Sequence, residues 1–215
     1  MSELPYKSIP GMLKANASTF ADRPAVSYKK EGRWISLSYA HLYERVLMAA
    51  RGLGKAGIQT GDRVAILSEN RAGWTISDLG VQAAGGVTVP IYATNTAEQA
   101  SYVINHSATR IVFVSNRIQY EKLLGIREQI PGVELVVSYE RFMGDKALPV
   151  YTLYQLSEIS HPLAGDERGE IEAKIDSITP DDLITVIYTS GTTGVPKGVV
   201  LTQSNMLFDA HSGVN

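Results

Sequence analysis

Residues 183–202 constrain this chain more than any other segment. Residues 183–188 form an apolar, β-branched run that predicts a buried strand, and residues 199–202 predict a second strand. The loop between them, residues 189–198, reads Thr-Ser-Gly-Thr-Thr-Gly-Val-Pro-Lys-Gly. Such a loop can turn consecutive backbone N–H groups and hydroxyls toward one anion, with a lysine nearby as a point charge. We therefore call it the phosphate loop and expect a polyphosphate as its ligand.

The residue types of the phosphate loop suit this chemistry. Gly191 and Gly194 can adopt positive φ and let the main chain approach a phosphate closely. Pro196 fixes φ just before Lys197, which limits where the ammonium group can swing. Four residues supply hydroxyl groups that can donate to phosphate oxygens or ligate Mg2+: Thr189, Ser190, Thr192 and Thr193.

The phosphate loop does not follow either of two common phosphate-binding patterns. A Walker A motif needs serine or threonine after its lysine, whereas Gly198 follows Lys197 here. The G-x-G-x-x-G pattern is also absent, and a predicted strand rather than a long helix comes next. The plain alternative is a solvated hairpin loop, because glycine and threonine are ordinary turn residues. The length of the pattern, residues 188–200, favours the phosphate site.

This segment resembles the phosphate-binding signature of the AMP-forming adenylating enzymes, which include acyl-CoA synthetases, luciferases and peptide-synthetase adenylation domains. Two weaker matches lie upstream in the expected order. Residues 36–42 are similar to the family's L-[ST]-Y-x-E-L element, and residues 82–92 are similar to its second element. Two positions depart from the pattern: His41 stands where the family usually has glutamate, and Gln203 where it often has histidine.

The resemblance implies an activity and a set of site residues. Residues 68–74 and 89–102 look most like long-chain fatty acid–CoA ligases, which activate a fatty acid with ATP and Mg2+ to an acyl-adenylate and transfer it to coenzyme A. By match to the motif, Lys197 is the catalytic candidate that would neutralise the leaving pyrophosphate, and Thr189 would contact Mg2+. The residues that would contact the ATP phosphates, besides Lys197, are Thr189, Ser190, Gly191, Thr192, Thr193 and Gly194.

The resemblance also implies that this chain is an N-terminal portion of a larger ligase. The family's remaining motifs follow the phosphate loop, so we expect these 215 residues alone to be inactive, with weak or undetectable ATP affinity. Two alternatives stay open. One is a stand-alone nucleotide- or phosphate-binding module without ligase activity. The other is a structural or partner-binding remnant whose phosphate loop is vestigial.

Hydrophobic periodicity predicts strands and helices in alternation. The predicted strands before the phosphate loop are Ala25–Tyr28 and Trp34–Leu37, which form a hairpin, then Val64–Leu67, Val87–Ile91, Ile111–Val114 and Val133–Val137. The predicted helices cover residues 38–56, 73–84, 96–105 and 120–129. This order predicts an α/β fold of mainly parallel β-sheets flanked by helices, as in the N-terminal region of adenylate-forming enzymes.

Composition divides the chain. We expect residues 1–177 to form an N-terminal α/β subdomain, with the charged stretch 161–177 as a surface connection, and residues 178–215 to begin a second subdomain. Residues 179–182 predict a cap and a first helical turn. Ser204 is predicted to open a further helix.

Charge and residue counts exclude several kinds of function. A net charge of −2 gives no electrostatic case for binding nucleic acid or an anionic membrane surface. No apolar stretch approaches the ~20 residues of a membrane span. The chain has no cysteine, which excludes disulfides and thiolate metal sites. We expect a cytoplasmic protein, although a lipid substrate would suit peripheral contact with a membrane. The four histidines lack ligand-like spacing, and His106 is predicted to cap a helix end.

Overall fold

The computed structural model describes residues 5–158, 161–189 and 196–213. Within those ranges the helices are α1 (Ile9–Thr19), α2 (Tyr39–Lys55), α3 (Ala72–Ala83), α4 (Ala97–His106), α5 (Arg117–Leu124), α6 (Leu153–Leu156), α7 (Gly165–Ser177) and α8 (Gln203–Ser212). A 3-10 helix covers Arg127–Gln129. The strands are β1 (Pro24–Lys30), β2 (Arg33–Ser38), β3 (Arg63–Leu67), β4 (Val87–Ile91), β5 (Ile111–Val114), β6 (Leu135–Ser138), β7 (Val150–Thr152), β8 (Leu183–Thr189) and β9 (Lys197–Thr202).

Seven of these strands form one sheet in the order β7-β6-β5-β3-β4-β8-β9. Neighbouring strands are parallel from β7 to β8, and only β9 runs antiparallel to its partner. Strands β1 and β2 form a separate antiparallel hairpin, as predicted. The structure thereby confirms the predicted α/β fold with a mainly parallel sheet between helices. The predicted start of a second subdomain near residue 178 stays a prediction, since β8 and β9 extend the same sheet.

Helices cover both faces of the sheet and create two hydrophobic cores. On one face, α1, α2 and α3 pack against side chains such as Val64 and Ile66 of β3. On the other face, α4 and α5 pack against the alternate residues Ala65 and Leu67. Strand β3 is therefore buried on both sides, which explains its continuous hydrophobic sequence.

The strand order places β8 next to the point where the connections between strands reverse direction. The connection from β3 to β4 runs through α3 on one face, whereas the connection from β4 to β5 crosses β3 through α4 on the other. In open parallel sheets, ligands bind beyond the carboxyl ends of the strands at such a reversal. Strand β8 is parallel to β4 and ends at this same edge.

Several local predictions are confirmed. Ser38 caps α2 through its hydroxyl, and Thr96 forms a capping box with Gln99 at the start of α4. The predicted helix 120–129 is divided, since α5 ends at Leu124 and a 3-10 helix follows. The interruption coincides with Gly125 after the last residue of α5.

Two predicted helix starts are wrong. Residues 179–182 form a turn, in which the backbone N–H of Thr179 donates to Asp182 Oδ2 at 2.7 Å, and the chain continues directly into β8. Helix α8 is capped by Thr202 rather than opened by Ser204, because the Thr202 hydroxyl accepts from the backbone N–H of Asn205. In both places the strand pairing of β8 with β9 sets where the local element begins.

The charged connection contains α7, an element to which the sequence analysis assigned no helix. Arg51 of α2 lies beneath it with a side chain only 4% exposed, and its guanidinium also reaches Glu167 of α7 at 3.3 Å. One nitrogen of Arg51, Nη2, lies within hydrogen-bond distance of three backbone carbonyls. Two of them, of Ser157 (2.8 Å) and Glu158 (2.9 Å), come just before the connection, and the third, of His161 (3.0 Å), is at its start. A buried cation thus ties this polar segment to the core.

Candidate phosphate-binding site

The β8–β9 hairpin brings the first hydroxyl residue and the lysine of the phosphate loop together. Thr189 and Lys197 are Cα partners in the antiparallel register, and both are exposed. Directly opposed residues in such a pair project to the same face of the sheet. Five other predicted phosphate contacts lie outside the described residues: Ser190, Gly191, Thr192, Thr193 and Gly194. The pair Thr189–Lys197 thus marks the base of the phosphate loop.

A second loop lies at the same edge of the sheet. Residues 92–95 follow β4, the parallel neighbour of β8, and the backbone N–H of Asn95 donates to the carbonyl of Tyr92 at 2.9 Å to close a turn. Lys122 of α5 donates from Nζ to the carbonyls of Ala93 (3.0 Å) and Asn95 (2.6 Å), and Gln119 Nε2 also reaches Ala93 (3.1 Å). Burial lowers the pKa of the Lys122 ammonium. Side chains from α5 thus hold this loop beside the hairpin.

Helix α4 contacts both stems of the phosphate loop, by which we mean the chain at Tyr188 on one side and at Pro196 on the other. The hydroxyl of Tyr102 donates to the carbonyl of Pro196 at 3.0 Å, and Nδ1 of His106 lies 2.7 Å from the hydroxyl of Tyr188. His106 lies in the last turn of α4, as predicted, but the contact of its Nδ1 is with Tyr188 instead of a helix-end carbonyl. Burial raises the pKa of the Tyr188 hydroxyl, so it remains a neutral donor or acceptor.

Two side chains of β8, Val186 and Tyr188, leave little room for a side chain at Gly198. Gly198 and Tyr188 are register partners, and a Cβ placed on Gly198 would lie 3.3 Å from Tyr188 Cζ and 2.9 Å from Val186 Cγ1. A larger residue would therefore force the Val186 side chain to shift and would press on the ring of Tyr188. The glycine after Lys197, which separates this loop from a Walker motif, thus has a packing reason.

Sequence reasoning missed Lys122, Gln119 and Tyr102. Each lies on a helix whose sequence is typical of an ordinary half-exposed element, and its partner lies on another element. The spacing offers a partial signal, because Gln119 and Lys122 are three positions apart, and Tyr102 and His106 four apart, so each pair shares a helix face. Nothing in that spacing identifies which loop the face contacts.

The described part of the site can hold phosphate but lacks a preformed metal cage. A lysine ammonium and a threonine hydroxyl on one exposed face are suitable donors for phosphate oxygens. Among the described residues, no group of three or more His, Asp or Glu side chains could hold a metal ion. Mg2+ commonly binds through one or two protein oxygens together with substrate phosphates and water. The donor set therefore fits Mg2+ only when a nucleotide supplies further oxygens.

Comparison with known proteins assigns the family. The model of the AMP-binding enzyme family matches residues 13–214, so this chain belongs to the AMP-binding enzymes. The long-chain-fatty-acid–CoA ligase ACSBG2 of Xenopus laevis is 33% identical over 210 residues, which are 98% of this chain and 28% of that protein. The human long-chain-fatty-acid–CoA ligase ACSBG1 is 32% identical over 211 residues, 98% of this chain and 29% of its own. These relatives confirm the predicted resemblance to acyl-CoA ligases.

Solved structures confirm the fold. The anthranilate CoA ligase AuaEII in complex with anthranoyl-AMP has a TM-score of 0.78 and 19% identity, covering 97% of this chain and 37% of that chain. This chain thus corresponds to under a third of the length of the two fatty-acid ligases and to a larger share of AuaEII. In the part of the chain that the structure describes, every helix is too short or too polar to cross a bilayer.

Proposed function

We propose that this chain is part of an AMP-forming long-chain fatty acid–CoA ligase and supplies its ATP phosphate-binding loop. The observation that carries the proposal is the pairing of Thr189 with Lys197 at the carboxyl edge of a parallel sheet, at the base of the phosphate loop. Membership of the AMP-binding family and the fatty-acid ligase relatives support it.

In the proposed reaction, a carboxylate oxygen of the fatty acid attacks the α-phosphorus of ATP. The bond to the β-phosphate breaks, pyrophosphate leaves with the electron pair, and coenzyme A later displaces AMP from the acyl-adenylate. Negative charge accumulates on the leaving group, so a preorganised cation and hydroxyl donors beside it lower the barrier. Lys197 supplies that cation. Thr189 and the loop residues Ser190 to Gly194 would supply donors to the phosphate oxygens, and the Thr189 hydroxyl would be a protein ligand of Mg2+, which would neutralise phosphate charge.

The test is pyrophosphate release by the full-length polypeptide that contains this chain, with ATP, Mg2+ and a long-chain fatty acid. Lys197→Ala should reduce adenylate formation about 100-fold, the effect of losing one preorganised group in a charged transition state. Lys146→Ala, which removes an exposed lysine in the segment between β6 and β7, is the matched control and should leave the rate unchanged. An unaltered rate in Lys197→Ala would contradict the phosphate role.

A stand-alone phosphate-binding module remains the second candidate, supported by the position of Thr189 and Lys197 at the end of one sheet. Calorimetric titration of the 215-residue chain with Mg-ATP separates the two. Tight binding without pyrophosphate release in the full-length polypeptide would favour the module. We expect weak or undetectable binding by these residues alone.

A further inference from the structure

We propose that Tyr102 and His106 of α4 are positioning residues. They keep the two stems of the phosphate loop paired so that Thr189 lies opposite Lys197. Their effect on ATP rests on the proposed function, whereas their effect on the loop does not. The proposal is built on a three-ring cluster, which consists of Tyr102, His106 and Tyr188.

The cluster has a defined geometry. Tyr102 and His106 share one face of α4, and their rings are stacked with centroids 5.4 Å apart and an interplanar angle of 29°. The ring of Tyr188 stands edge-on to both, at 6.3 Å and 89° from Tyr102 and at 5.6 Å and 88° from His106. Stacked and edge-to-face arrangements of this kind are favourable beyond the area they bury.

The polar atoms of the cluster reach the two stems separately. The bond from Tyr102 to the Pro196 carbonyl fixes the residue immediately before Lys197. The contact of His106 with Tyr188 fixes the residue immediately before Thr189. The two site residues at the base of the loop are therefore each one position from an anchor on the same helix.

Helix α4 is a rigid support for these anchors. Its first turn is closed by the capping box of Thr96 and Gln99, and its inner face places Ala100, Val103 and Ile104 in the core. Helix α4 also begins directly after loop 92–95, which Lys122 holds. One helix thus connects the two loops at this edge of the sheet. Catalytic groups need such support, because small displacements of a positioned group cost large factors in rate.

The experiment compares Tyr102→Phe with Tyr151→Phe in the full-length polypeptide. Tyr102→Phe keeps the stacked ring and removes only the donor to Pro196, whereas Tyr151 is an exposed tyrosine of β7 at the opposite edge of the sheet. Without nucleotide, we expect backbone amide exchange of residues 188–189 and 197–198, which are paired in the hairpin, to accelerate about tenfold in Tyr102→Phe and to be unchanged in Tyr151→Phe. That factor corresponds to the loss of one hydrogen bond.

Kinetics provide a second readout. Tyr102→Phe and His106→Phe should each raise KM for ATP several-fold, with KM for the fatty acid and the thermal unfolding temperature unchanged. Wild-type exchange rates in both variants would overturn the proposal, whatever the enzyme's activity. Faster loop exchange in a polypeptide that releases no pyrophosphate would support the positioning role and reject the proposed function instead.

Discussion

The central strands and the terminal hairpin belong to one sheet but are held in different ways. Every residue of β5 is buried, and Val64 to Leu67 of β3 are buried as well. In the hairpin, Leu183 is 46% exposed and Val200 is 52% exposed, although both were part of apolar runs. Packing in the hairpin is partial, since Ile184 is buried and Val186 packs half-buried against the core. Polar contacts add to it, such as the bond from the Thr185 hydroxyl to the Thr88 carbonyl at 2.9 Å.

This difference shows that continuous hydrophobicity does not by itself indicate burial. Helices on both faces cover β3, whereas β9 is an edge strand. The central region is stabilised mainly by packing. The hairpin that carries the proposed site is less fully packed and relies more on hydrogen bonds and ring contacts, while Thr189 and Lys197 stay exposed. Mutations should therefore have different costs in the two regions.

The largest expected effect on stability is in the packed central region, at Gly52 of α2. A Cβ on Gly52 would collide with the backbone carbonyl of Leu156, so Gly52→Ala should force α6 away and reduce the free energy of unfolding by about 3 kcal/mol. Gly54 lies two positions further on the same helix with open space around it. Gly54→Ala should increase stability by about 0.5–1 kcal/mol, since alanine favours the helix. Denaturant unfolding measures both, and equal effects would contradict this packing.

A smaller effect should separate the two regions directly. Val112 of β5 is fully buried and Val200 of β9 is half exposed. Val112→Ala should cost roughly 2–3 kcal/mol of unfolding free energy through lost burial and a cavity, whereas Val200→Ala should cost about 0.5 kcal/mol. Denaturant unfolding of the 215-residue chain provides the measurement. An equal loss at Val200 would break the comparison, because it would mean that a further surface covers this strand.

The smallest effect concerns Asp78 of α3, whose carboxyl lies near Thr88 of β4. Burial raises the pKa of its carboxyl above the ordinary value, although Gln82 Nε2 donates to it at 3.1 Å. The folded state therefore keeps this proton to a higher pH than the unfolded state does. Its contribution to stability falls as pH rises from the unfolded pKa of about 3.9 through the folded value.

Asp78→Asn should remove that part of the pH dependence and make the protein modestly more stable at neutral pH, while the side-chain oxygen still accepts from Gln82. Unfolding curves measured from pH 4 to pH 8 test this. Asp22→Asn, at an exposed position, serves as the control. If the unfolding free energies of the two variants depend on pH in the same way, burial does not raise the pKa of the Asp78 carboxyl.

Much of the fold could be predicted from local patterns. Hydrophobic periodicity located the strands from β3 to β6 and the helices α2, α3 and α4, and side-chain chemistry identified the caps at Ser38 and Thr96. Helix α1 and the short elements β7 and α6 were missed, because each is short or weakly patterned. Helix α7 was missed because it is mostly charged and buries only Ile175. Its sequence therefore lacks the helical repeat of apolar residues on which the prediction relied.

The two strands that flank the phosphate loop and the binding chemistry that we propose for it could be predicted from the sequence, because both follow from residues that are close together in the chain. The family followed from the same stretch, and comparison confirmed it. Only the tertiary structure decided that Arg51 holds the charged connection, and that Tyr102 and His106 contact the stems of the loop across 94 and 82 positions of sequence. Such partners are selected by the docking of whole helices and strands. No local pattern encodes which distant carbonyl or ring a half-exposed side chain will meet.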